Sequence, residues 1–216
     1  MEKEDLKLAK AKLSKVIKDT NKYGEVVKKY QYVNEDGKVI YEVHRMKNAS
    51  EPFYIARPTE DGNYKYGLGK VKTIPYNIIN VLKAKENNEV IIITEGESKA
   101  DLFNMLGFVA TTVPFNRSDK WQPKYNKYFK YANVLIIADN DDKGREFASL
   151  TFNTILDVTS NLGILELSEI CPALRKGGDI EDVRNIVGND AELRKYLDET
   201  ISNFMARNSQ DDGEEN

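Results

Sequence analysis

The chain has 216 residues, 40% of them hydrophobic and 31% charged, enough for one sizeable domain with a smaller appendage and too apolar for disorder throughout. One cysteine (Cys171) and one histidine (His44) exclude an intrachain disulfide and a Cys/His zinc site, so both are expected to be structural. The net charge of −3, from 32 basic and 35 acidic residues, is less basic than most nucleic-acid binders carry, although carboxylates holding metal ions would reverse that sign locally.

Residues 4–20 place Leu6, Ala9, Leu13, Val16 and Ile17 on one helical stripe with lysines elsewhere, which predicts an amphipathic helix. It reads either as a surface helix with a solvated Lys face or as a phosphate-binding or interdomain arm. Residues 29–74 change character. Tyr30–Val33 and Lys38–Arg45 alternate with period two around Asn34-Glu35-Asp36-Gly37, and Phe53–Arg57 and Tyr64–Gly67 flank Glu60-Asp61-Gly62. Both are hairpin signals, and the section is β-rich, Tyr-rich and basic. From Pro75 helices and strands alternate. Helices are expected at Pro75–Lys85, Glu97–Leu106 (stopped by Gly107), Pro123–Tyr131, Lys143–Val158 and Ile180–Val187, and strands at Glu89–Thr94, Phe108–Val113, Asn133–Ala138 and Gly163–Leu167. Near-continuous Val/Ile runs between helices predict an α/β fold, a parallel sheet with helices on both faces. The last part, 189–216, reads as a helix over Ala191–Met205 and an acidic tail. No apolar run approaches the roughly 20 residues of a membrane span, and the Lys-rich start lacks a signal peptide's apolar stretch. A cytoplasmic protein without a membrane partner is expected.

Two predicted strands end in carboxylates: Ile91-Ile92-Ile93-Thr94-Glu95-Gly96-Glu97 and Leu135-Ile136-Ile137-Ala138-Asp139-Asn140-Asp141-Asp142-Lys143-Gly144-Arg145. Ligands of open parallel α/β sheets bind beyond the carboxyl ends of the strands, where Glu95, Asp139 and Asp141 all fall. On extended chain Asp139 and Asp141 project the same way, and their repulsion calls for a raised pKa or a hard cation. Oxygen ligands on a water-accessible rim favour Mg2+, with Mn2+ as a substitute. Gly96 and Gly144 permit close approach of backbone or phosphate. Asp142 is a candidate N-cap for the helix that follows.

Strand-Glu95-Gly96 followed by strand-Asp139-x-Asp141-x-x-Gly144 resembles the signature of Toprim proteins, a family of primases, topoisomerases, recombination-repair proteins and nucleases. Further stretches resemble its phage and mobile-element DNA primases: Tyr30 to Arg45, Glu95 to Asp101, Ala110-Thr111-Thr112, Lys120-Trp121-Gln122-Pro123-Lys124-Tyr125 and Lys176-Gly177-Gly178-Asp179. The resemblance covers about residues 30–188. Where the family often has Lys-Asp this chain has Ser98-Lys99, while Asp101 is retained. Neither a P-loop nor the zinc module of many primases is present. Template selection would then come from another chain or from a portion outside this sequence.

The resemblance implies a Toprim domain over 75–188, preceded by a Lys-rich helix (1–28) and a basic β subdomain (29–74) that guides template and nucleotides. It implies Mg2+ held by Asp139 and Asp141, with Asp179 and Asp182 completing a second site, two ions about 4 Å apart. Glu95 would be metal ligand or general base toward a 3′-hydroxyl. Arg45, Arg57, Lys120, Trp121 and Arg145 are the candidate nucleic-acid and phosphate contacts. Trp121 reads either as a base-stacking platform or as a core residue, and Arg145 either as a phosphate ligand or as a solvated helix residue. The leading expectation is a primase-like nucleotidyltransferase acting on single-stranded DNA with nucleoside triphosphates, beside a separate helicase. A Toprim nuclease with the same carboxylates, and a non-catalytic DNA-binding module recruiting a helicase, are the alternatives.

Overall fold

The computed structural model describes residues 4, 7–11, 14, 23–114 and 121–208. Of the N-terminal stripe, Ala9 is helical and exposed, whereas Leu6, Leu13, Val16 and Ile17 lie outside the described residues. The chain divides into two compact units, Met1–Val33 with Lys38–Lys72, and Asn34–Gly37 with Thr73–Asn216.

The first unit holds an antiparallel sheet in the order β1 (Glu25–Val33), β2 (Val39–Lys47), β3 (Phe53–Pro58), β4 (Tyr64–Tyr66). Its period-two pattern buries Tyr30 and Tyr32 of β1 against Tyr41 and Val43 of β2. Tyr32 and Tyr41 face each other in register with stacked rings 4.4 Å apart. The opposite side of β2 carries Glu42 and His44, only 2% and 1% exposed. His44 Nε2 lies 2.7 Å from Glu42 Oε2, and Gln31 donates to Glu42 Oε1 at 2.9 Å. Burial works to raise the Glu42 pKa, but the bonds from Gln31 and His44 outweigh it and hold the carboxyl below its ordinary value. Burial, with the charge of Lys29, lowers the His44 pKa against the bond and charge of Glu42. The pair is therefore a carboxylate accepting from a neutral imidazole, and the lone histidine is a satisfied core group.

The second unit holds a four-stranded parallel sheet in the order β6 (Val109–Thr111), β5 (Val90–Thr94), β7 (Asn133–Ala138), β8 (Asn161–Glu166). Every residue of β7 is buried, as a strand covered on both faces requires. One face presents Ile92, Ala110, Leu135 and Ile137. These pack with Ala100 and Phe103 of α2 (Glu97–Met105), Leu167 and Ile170 of α5 (Leu167–Ile170), Val183 of α6 (Ile180–Val187), and Leu193 and Leu197 of α7 (Asp190–Asn208). The other face meets α1 (Ile78–Glu86) and α4 (Asp142–Ile155). The α/β architecture with helices on both faces thus stands as expected, preceded along the chain by a β-rich section.

Two expected helices are shorter than their sequence signals. Pro75 does not open α1, because Tyr76 donates from its amide to Thr112 at 2.8 Å and accepts from the Thr111 hydroxyl at 2.6 Å. That pins residues 75–77 beside β6. Asn77 then turns through φ 54° before the helix begins. Pro123–Tyr125 is a 3-10 turn followed by the single turn α3 (Asn126–Phe129), and Tyr131 at φ 63° ends it.

Candidate active site

Parallel pairing of β5 with β7 sets Thr94 opposite Ile137, so Glu95 and Asp139 emerge from neighbouring strands at the same edge of the sheet. Gly96, at φ 88° and ψ 150°, turns the chain straight into α2 and donates its amide to the Thr112 hydroxyl at 3.1 Å. That conformation is open essentially to glycine alone. Glu95 is half-buried. Asp139 is 7% exposed, and its Oδ1 is buried with no hydrogen-bond partner among the described residues. Its Oδ2 accepts from the ammonium of Lys99, on the first turn of α2. The same ammonium is 3.8 Å from Asp179 Oδ2. Burial pushes the Asp139 pKa up to about 6 against the pull of Lys99, and the charges of Glu95 and Asp179 add to the rise.

What brings Asp179 here is Asn140. Its amide side chain donates to the carbonyls of Leu174 and Arg175 at 3.1 and 3.0 Å. Its backbone donates to Gly178 at 3.0 Å and accepts from Gly177 at 2.7 Å. The Lys176-Gly177-Gly178-Asp179 stretch is thereby stapled to the end of β7. Asp179 Oδ1 caps α6, accepting from the amides of Glu181 and Asp182, and leaves Oδ2 toward Lys99. Gly144 is the other fixed point. A Cβ there would lie 2.7 Å from the Asp139 carbonyl oxygen and 2.8 Å from its nitrogen, so the first turn of α4 rests directly on the Asp139 backbone.

Asp141 is not placed as extended chain would put it. Its amide bonds back to the Asp139 carbonyl at 2.8 Å, a tight turn at Asn140, and its Oδ1 caps α4 by accepting from Gly144 at 2.7 Å. Asp141, not Asp142, is therefore the N-cap. Asp182 is likewise engaged, accepting from the Asp179 amide at 3.2 Å in a reciprocal capping box. Arg145 is held by Asp142 at 2.7 Å and Glu166 at 3.3 Å. Trp121 is 3% exposed and packs against Tyr125 and Phe129. That burial matches its reading as a core residue. In the first unit Arg45 is exposed, while Arg57 donates to the Gly67 carbonyl at 2.7 Å. Lys120 lies outside the described residues.

Among the described residues no three acidic, histidine or cysteine side chains form a ready-made metal cluster; Lys99 stands between two of the carboxylates instead. The orphaned, buried Oδ1 of Asp139, with Glu95 and Asp179 close enough to raise its pKa, nevertheless suits a hard cation. Lys99 and Asn140 are the two residues that the sequence reading passed over. For Lys99 the signal was its place four residues after Glu95. For Asn140 it was an amide at a tight turn leaving a buried strand.

No protein-family model matches the chain. Among solved structures, a DNA primase domain from Pseudomonas aeruginosa superposes with a TM-score of 0.54 at 16% identity over 78% of this chain and 49% of its own. The E. coli primase catalytic core gives a TM-score of 0.53 at 17% identity over 77% of this chain and 50% of its own. The fold is similar to that of primase catalytic cores. The chain spans about half the length of these structures. Among curated sequences, the Gene 57 protein of Mycobacterium phage D29 is 29% identical over 143 residues, 64% of this chain and 82% of that protein. The primase-like sheet carries the acidic edge just described. No described helix is long and apolar enough to cross a membrane.

Proposed function

We propose that the protein is a primase-like Toprim nucleotidyltransferase, making short oligonucleotides on single-stranded DNA in the replication of a phage or mobile element. The observation that carries this is Asp139, a carboxylate buried at a strand end with one oxygen unpartnered among the described residues, beside Glu95 and across from Asp179. The likeness to primase cores, one of them bound to single-stranded DNA with a TM-score of 0.52, supports the choice of reaction.

In this reading Asp139, Glu95 and Asp179 hold Mg2+, or Mn2+ in its place. A divalent ion there supplies charge stabilisation for phosphoryl transfer. Lys99 fixes Asp139 through Oδ2 and leaves Oδ1 turned to the ligand. Asn140 holds Asp179 in place through its loop. Glu95, half-buried beside Asp139, takes the proton of the attacking 3′-hydroxyl. Asp141 and Asp182 act as caps that set the two helix starts. The template is assigned to the first unit, where Lys28 stands directly opposite Arg45, and Arg57 opposite Lys65. Like charges in register cost stability, and a phosphate backbone relieves that cost.

The test is incubation with a single-stranded template, nucleoside triphosphates and Mg2+. Labelled oligomers that vanish with Asp139→Asn are expected. A cut template would mean hydrolysis instead, and bound but unchanged DNA would mean a recruiting module.

A further inference from the structure

The Lys99 ammonium sits where a cation is expected. It bonds Asp139 Oδ2, lies 3.8 Å from Asp179 Oδ2, and is itself largely buried, at 15% exposure. Of the charges that act on Asp139, those of Glu95 and Asp179 add two negatives to its own, and Lys99 returns one positive. The remaining charge of −2 matches one divalent ion. Asp141, which the sequence suggested as a further ligand, spends Oδ1 on Gly144. The coordination left open is correspondingly small, centred on Asp139 Oδ1, which is buried and has no partner among the described residues.

We propose that Lys99 is a built-in substitute for one of two cations, so that the protein binds a single divalent ion beside a fixed ammonium. This rests on the nucleotidyltransferase reading for its purpose, but not for its measurement. A second divalent ion close to Lys99 would meet like-charge repulsion at short range in a partly desolvated site, where Coulomb energies are several times those in water. An ammonium also has three donors and no acceptor, so it can anchor carboxylate oxygens but takes no ligand place of its own on a metal.

Mn2+ titration of the full chain, followed through the electron paramagnetic resonance of the free ion, reads the stoichiometry directly. One Mn2+ per chain is expected for the native protein, and loss of that ion for Asp139→Asn. Lys99→Asp replaces the ammonium by a carboxylate and should admit a second Mn2+. Lys99→Gln removes the charge with little change of size. It should keep one ion and bind it at least tenfold more tightly, which covers the case in which Lys99→Asp does not fold. Two Mn2+ ions on the native protein, or Lys99→Gln binding no more tightly, would overturn the proposal while leaving the enzyme reading intact. No Mn2+ on any folded variant would overturn both. One ion on the native protein with no oligomer synthesis would uphold the role of Lys99 and remove the assigned reaction.

Discussion

Asp139→Asn separates a carboxylate kept for packing from one kept for a cation. In the folded protein the Asp139 pKa is raised from 3.8 to about 6. A raised carboxyl pKa means that its contribution to stability is fully present below the unfolded value of 3.8. It is lost as the pH climbs through 6. The difference of about two pKa units corresponds to roughly 3 kcal/mol at pH 8 without metal, borne by a side chain that is 7% exposed. Asparagine has the shape of the protonated acid and no charge to desolvate. The variant should therefore melt higher than the native protein at pH 8 in chelator, by up to about 6–12 °C for a protein of this size. At pH 4 the two should coincide. Added Mg2+ should stabilise the native protein and leave the variant unmoved, reversing their order. Thermal melts at pH 4, 6 and 8, with chelator and with Mg2+, give the full comparison. A variant less stable than the native protein at pH 8 in chelator would refute the reasoning, because the Lys99 ion pair would then outweigh the burial of the charge.

Asn140→Ala removes two bonds to the 174–175 carbonyls, about 1–3 kcal/mol together. It should speed hydrogen exchange at Gly177 and Gly178 and weaken Mn2+ binding tenfold or more, while the melting temperature falls only modestly; unchanged exchange would mean that the loop stands without its staple. Gly144→Ala drives a methyl group into the Asp139 backbone and should cost about 1–3 kcal/mol together with the metal response, as a melt with and without Mg2+ would show. Asp141→Asn should be near-neutral in melting temperature and Mn2+ affinity, whereas Asp141→Ala loses a cap worth about 0.5–2 kcal/mol; abolished Mn2+ binding in the Asn variant would make Asp141 a ligand. Because the folded pKa values of His44 and Glu42 both lie below their ordinary 6.5 and 4.5, stability from this pair is complete above pH 6.5. It is lost as the pH falls through the two folded values, and tyrosine near-ultraviolet dichroism against pH should follow that loss.

The sheet was legible because its sequence is nearly unambiguous. Asn133–Ala138 falls where the apolar pattern puts it, as does the helix Ile180–Val187, and adjacent parallel strands bring Glu95 and Asp139 to one edge. Helix starts were less legible, since tertiary hydrogen bonds decide them: Tyr76 is held to Thr111 and Thr112, residues some 35 positions away. The roles of Asp141 and Asp182 were hidden because a carboxylate after a strand serves equally as a cap or as a ligand. Lys99 was hidden because a lysine inside an acidic motif reads as a substitution until the fold places its ammonium between two carboxylates.

The buried Trp121 has a use outside the chemistry. It is the only tryptophan, and of the twelve tyrosines seven lie in the first unit and five in the second. Red-edge excitation, which tyrosine does not absorb, therefore reports on the parallel-sheet unit alone. Tyrosine dichroism weighs toward the β-rich unit, where Tyr32 stacks on Tyr41. Unfolding of the two halves can be followed in one cuvette without a label, and a denaturant curve that differs between the two signals would show directly that they melt as separate cooperative bodies.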